Sequence, residues 1–166
     1  MNTRRLVRAA VLTAVALTIF IIELQIPSPV PIPGVKLGLA NIVTIYAIFL
    51  LGPADAAAIL LTRIILGSVF SGNLMALAYS LAGGLMCYLI MLLMGQLVTE
   101  KQIWVCSVFG AIAHNVGQIG AAIAITRMPS LLAYLPVLMI SGIAAGLFTG
   151  LAAQFTVNKL GKIMKK

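Results

Sequence analysis

This sequence is short of acidic residues. Its 166 residues include three acids, Glu23, Asp55 and Glu100, and a single histidine, His114. Metal sites need clusters of His, Cys, Asp and Glu, and acid–base catalysis needs paired titratable groups. Three scattered acids and a lone His supply neither, so no metal, no cofactor and no catalytic residue is expected. Asp55 is the only aspartate, which excludes an aspartate-rich, magnesium-binding prenyl-transfer site. No GxxxxGK[ST] phosphate loop occurs, so no nucleotide-driven motor resides in this chain. Cysteine is scarce too. Cys87 and Cys106 fall in apolar runs without CxxC spacing and read as buried, reduced thiols. The chain is expected not to be an enzyme.

Charge of either sign is short. Only 8% of residues are charged and 62% are apolar, against about 25% and about 45–50% in soluble domains. That leaves too little polar surface to cover a water-soluble sphere. Eleven Lys and Arg give a formal charge of +8, but the interior of the chain is nearly uncharged, unlike the dense basic face of a nucleic-acid protein. What is present instead is a series of long apolar runs. The composition implies an integral membrane protein of all-α class, a single domain over 1–166.

A membrane span takes about 20 residues. The first run, 6–26, follows Arg4 and Arg5, with Arg8 within it. Glu23 and Gln25 close it and no small-x-small cleavage site appears, so it reads as an uncleaved helix rather than a signal peptide. Pro27, Pro29, Pro31 and Pro33 then alternate with other residues, which excludes helix and sheet and predicts an extended, stiff outer loop over 27–36. Further spans are expected at 37–51, 54–71, 74–98, 103–126 and 136–157, punctuated by Gly52-Pro53, Gly72-Asn73, the polar 99–102 stretch, and Arg127 with Pro129. The second is short: 15 residues rise only about 22 Å as a helix, so it is either shielded by other helices or extended by part of the loop.

The cations test this six-span reading. An even number puts both termini on one side, where the positive-inside rule places Lys and Arg. Arg4, Arg5, Arg8, Lys101, Lys159, Lys162, Lys165 and Lys166 fall there, Lys36 and Arg127 fall opposite, and Arg63 lies within a span. Five or seven spans would put one terminal cluster on the wrong side. A multi-pass protein of the cytoplasmic membrane with both termini cytoplasmic is expected.

Small residues recur at helical spacing: Gly142, Gly146 and Gly150 in the sixth span, Ala113, Gly117 and Ala121 in the fifth, and Ala10 with Ala14 in the first. Such stripes serve close helix packing within the chain or docking of a partner. For Ala10 and Ala14, on the cytoplasmic half, docking of a coupling subunit is the sharper expectation.

Polar groups at membrane depth are costly unless they face a partner or a cavity. Arg63, His114, Asn115 and Gln118 lie near mid-span, with His114 and Gln118 on one helical face. Asn41, Asn73, Glu23 and Lys36 lie toward the outer side. One reading is a set of structural hydrogen bonds, with Arg63 neutralised by Glu23 or Asp55. The other is an outward-facing pocket under the 27–36 loop, with Lys36, Asn41, Arg63, Asn73, His114, Asn115 and Gln118 binding a small-molecule substrate. The excess of cations there leans toward an anionic or carboxylate-bearing ligand.

The stretch 33–42 (PGVKLGLANI), Arg63 to Gly67, and the run His114-Asn115-Val116-Gly117-Gln118 resemble the bacterial Gx transporter family, also labelled heptaprenyl diphosphate synthase component I. The resemblance covers nearly the whole chain. It implies a six-helix plan similar to the S components of energy-coupling-factor vitamin transporters. Those proteins bind substrate on the outer side under the loop between helices one and two, and contact a coupling subunit through an alanine motif that Ala10 and Ala14 match. The resemblance thus implies a substrate-binding subunit for a vitamin or cofactor precursor in the bacterial inner membrane, powered by separate ATPases. The alternative it carries is a non-catalytic membrane subunit associated with isoprenoid synthesis or with a flavin or electron-transfer assembly. The synthase label sits badly with a chain holding one aspartate.

Overall fold

The computed structural model describes residues 3–27, 35–99 and 101–164, with side chains described to 159. Most of the predicted outer loop, residues 28–34, lies outside the described residues. So do Glu100, Lys165 and Lys166.

Among the described residues the chain is helical apart from its connections, with no strand: α1 (Thr3–Glu23), α2 (Asn41–Leu50), α3 (Pro53–Ser71), α4 (Leu74–Leu97), α5 (Ile103–Thr126) and α6 (Leu135–Met164), plus a 3₁₀ turn at Pro129–Tyr134. All but α2 are long and apolar enough to cross a membrane. The surface follows the lipid-facing pattern: Val69, Phe70, Ile140, Phe148 and Phe155 are exposed, while His114, Asn115, Gln118 and Arg63 are buried. This is a multi-pass helical membrane bundle.

The breaks have local causes. Gly52 takes φ 97°, a left-handed value that suits glycine, and Pro53 opens α3 where its missing N–H costs nothing. Gly72 closes α3 in the left-handed conformation. α1 ends at Glu23 rather than running on to residue 26, and α6 continues past residue 157 to Met164.

The starts of α1, α3 and α5 share one end of the bundle. Arg5 pairs with Asp55 at 2.7 Å, and Gln154 of α6 accepts from the Trp104 N–H at 3.4 Å. At the other end Val35 packs with Tyr79, Ile119, Ala122 and Leu138.

The short α2 touches every other helix. None of its ten residues is exposed. Ile45 packs in a core with Cys87, Met91, Ile103, Cys106, Ala153 and Val157, while Val43 and Ala47 pack with Ala16, Ala56 and Ile59. At about 1.5 Å per residue it covers only about 15 Å, and it survives because protein rather than lipid surrounds it. Of the two options for a short second span, shielding by the other helices is the one adopted.

The glycine stripe of α6 faces α5. A Cβ on Gly150 would fall 2.6 Å from Trp104 Cα, and one on Gly146 would fall 2.9 Å from Val108 Cα. Gly117 in turn lets α5 meet α4, with the Ala82 carbonyl oxygen 2.7 Å from where its Cβ would be. Both stripes serve packing within the chain, and Ser107 and Thr149 add an interhelical hydroxyl contact at 3.0 Å.

Candidate functional site

Residues 35–40, the described part of the connection that enters α2, are tied down by side chains of α1 and α5. Glu23, the last residue of α1, is 4% exposed, and its carboxylate accepts the N–H groups of Gly38 and of Leu39, the latter at 3.1 Å. Gly38 sits at φ 80°. A Cβ there would meet Asn41 Nδ2 at 2.8 Å and His114 Nε2 at 3.0 Å, so both its conformation and its neighbours call for glycine. The Lys36 N–H donates to Gln118 Oε1 at 3.1 Å.

That last bond fixes a chain of donors. With Oε1 of Gln118 occupied as acceptor, its Nε2 donates to His114 Nε2, 2.8 Å away. The imidazole is then a neutral acceptor at Nε2 and carries its proton on Nδ1. Nδ1 faces the Gly83 backbone without a well-aligned hydrogen bond. Gly83 is where α4 leaves room for these side chains, since a Cβ would fall 2.8 Å from Gln118 Cγ.

Arg63, from the middle of α3, donates to Asn41 Oδ1 at 3.3 Å. It lies close enough to Glu23 and Lys36 to interact with both electrostatically. The Lys36 ammonium stands 3.5 Å over the centroid of the Phe20 ring, a cation–π contact. Gly67 makes room for that ring, because a Cβ there would fall 2.8 Å from Phe20 Cε1. Burial pushes the Lys36 amine down to about 8, against the pull of Glu23 and with the help of Arg63. The Lys36 Nζ, Asn41 Nδ2, His114 Nδ1 and Asn115 Oδ1 atoms are buried without a hydrogen-bond partner.

Five of the sequence-predicted residues therefore meet: Lys36, Asn41, Arg63, His114 and Gln118. Asn115 is adjacent but engaged with α6, where its Nδ2 donates to the Leu138 carbonyl and faces Gly142. Asn73 is not brought to the cluster. It caps α4, its side chain accepting the N–H of Met75 at 2.9 Å and of Ala76 at 3.2 Å. Asp55 pairs with Arg5 and not with Arg63, so Glu23 is the acid that faces the buried cations. Phe20 and Gly38 were not singled out as site residues from the sequence. Glu23, a lone carboxylate at the end of an apolar helix, carried the signal that pointed to this place.

A family model described as heptaprenyl diphosphate synthase component I matches residues 12–156. The chain belongs to that family. Every member of the cluster, from Phe20 to Gln118, lies within the matched stretch of this component I family protein. No curated protein and no solved structure gives a match.

Away from the cluster, Ala10 and Ala14 are exposed and line a groove of about 480 Å³ between α1 and α3, with Ala9, Thr13, Ala58 and Thr62. The Arg5–Asp55 pair lies at one end of this groove. Among the described residues no group of three or more His, Cys, Asp or Glu could hold a metal ion.

Proposed function

We propose that this component I family protein is the substrate-binding membrane subunit of a small-molecule importer of the energy-coupling-factor kind, taking a vitamin or cofactor precursor at the Lys36–Asn41–Arg63–His114–Gln118 cluster. The observation that carries the reading is that buried donors stand without partners at the end of the bundle where α1 meets the entry to α2. Native proteins pair such groups, and unpaired ones need a reason, of which ligand recognition is one. The chain binds and does not catalyse; its one aspartate is held by Arg5. Both termini are cytoplasmic, a reading supported by Arg5, Arg8, Lys101 and Lys159 clustering toward the end opposite Lys36. Separate coupling and ATPase subunits supply the energy, the coupling subunit contacting the small-residue groove at Ala10 and Ala14.

The test is binding of candidate vitamins and quinone precursors to the purified protein, with mass spectrometry of any co-purified solute. His114→Ala and Arg63→Ala are expected to abolish binding. Unchanged affinity in both would remove the cluster from the site. The family description favours a second reading, a non-catalytic membrane subunit assisting isoprenoid synthesis or a flavin or electron-transfer assembly. It requires co-purification with a synthase or redox subunit and no solute uptake.

A further inference from the structure

We infer that the cluster recognises one carboxylate group of its ligand, with Lys36 Nζ and Asn41 Nδ2 as the donors and Glu23 as the fixed charge that limits the site to a monoanion. This rests on the cluster being a binding site and adds the chemistry of what it binds.

The charge balance comes first. Lys36 and Arg63 are cations and Glu23 is the one acid facing them, all buried to 9% exposure or less. One positive charge is left uncompensated inside a membrane bundle, where isolated charge is expensive. A carboxylate brings the sum to zero. A dianion such as sulfate would overshoot it by one, against Glu23.

The donors come next. Glu23 accepts from Gly38 and Leu39, one N–H on each oxygen, and neither oxygen makes a hydrogen bond to the Lys36 ammonium. Arg63 holds Oδ1 of Asn41, so the amide presents Nδ2, a donor without an acceptor. A lysine four carbons long near the end of a bundle would ordinarily extend its ammonium to the water interface. Lys36 does not. Its backbone is held by Gln118, its neighbour Val35 is packed in the core, and its ammonium lies on Phe20 with no oxygen partner. The π face satisfies one direction of the ammonium and leaves N–H groups for an oxygen ligand. Donors that share an uncompensated positive charge and lack acceptors match a carboxylate.

The experiment uses the purified full chain in detergent at constant ionic strength, with the thermal midpoint read against sodium acetate, acetamide and sodium sulfate. Acetate raises the midpoint saturably, by about 2–5 °C, and acetamide and sulfate do not. Lys36→Met keeps the packing on Phe20 and loses the response, and Lys36→Arg keeps it. Asn41→Asp, which exchanges the donor for a second acid, also loses the response and serves if Lys36→Met does not fold. Equal responses to acetate and acetamide, a response to sulfate as large as that to acetate, or a wild-type response in Lys36→Met would each overturn the inference. A neutral co-purified solute whose binding survives Lys36→Met overturns it while leaving the importer reading intact. A carboxylate response without solute uptake in cells removes the importer reading and leaves this one standing.

Discussion

Glu23→Ala is the substitution from which most follows. In the native protein this side chain accepts two backbone N–H groups at the entry to α2 and faces two buried cations. Removing it strands the Gly38 and Leu39 donors, at about 1–3 kcal/mol for each buried group left unpaired. It also leaves Lys36 and Arg63 without a counter-charge, and breaking a buried ionic arrangement by deleting one side costs about 3–5 kcal/mol. These costs describe one rearrangement and do not add, so the expected loss is about 3–5 kcal/mol. At about 2–4 °C per kcal/mol for a chain of this size, the thermal midpoint in detergent falls by about 6–20 °C. Glu23→Gln keeps one acceptor oxygen and loses the charge, so it falls between wild type and Glu23→Ala. Asp55→Asn is the comparison: it breaks an ion pair whose Arg5 side chain is 53% exposed, and exposed pairs contribute little. A midpoint for Glu23→Ala within about 2 °C of wild type, or a loss in Asp55→Asn equal to that in Glu23→Ala, would refute the reasoning.

Gly150→Leu should unfold or badly weaken the α5–α6 contact, since even a Cβ meets Trp104 Cα at 2.6 Å, whereas Gly120→Leu, with nothing within 4 Å, should leave the midpoint near wild type. Equal midpoints for the two would show that α6 does not approach α5 so closely. Ala14→Leu adds bulk in the α1–α3 groove at an exposed position, so the isolated chain keeps its stability while solute uptake falls with wild-type ligand affinity. Unchanged uptake would remove the groove as a docking surface. The Lys36 amine, held at about 8, gives two opposite slopes. An unfolded lysine titrates near about 10.4, so between the two values the unfolded chain binds more protons and unliganded stability rises with pH. The increment from acetate needs the ammonium, with Glu23, Arg63 and His114 around it, and falls through that window. Two parallel slopes in thermal melts from about pH 7 to about pH 10 would contradict the assignment of Lys36.

Most helix boundaries were legible in the sequence because apolar runs and their Gly-Pro, Gly-Asn and Arg-x-Pro breaks are local features. The side chains that meet were partly legible too: His114 and Gln118 share a face four residues apart, and Arg63 in a span had to find a partner. Which partner was not legible, because it depends on how each helix is rotated about its axis. Asp55 and Glu23 were equal candidates by sequence, and folding gives Asp55 to Arg5 and Glu23 to the α2 entry. Asn73 shows the reverse case. An Asn immediately before an apolar helical run is a capping signal, and that local role won over the polar-in-membrane reading. The burial of Lys36 lay beyond any local pattern, since it follows from Gln118 of α5 and Phe20 of α1 reaching the same loop residue.

The short α2 also bears on how the chain enters a membrane. Ten helical residues span about half of the hydrocarbon thickness, and the non-helical 35–40 segment before them carries backbone groups that lipid cannot satisfy. The N–H groups of Gly38 and Leu39 are met by Glu23, already made, and that of Lys36 by Gln118, which is synthesised 82 residues later. The core around Ile45 likewise waits for Ala153 and Val157 of α6. The seat of the second helix in the order of synthesis is therefore complete only once the sixth has been made.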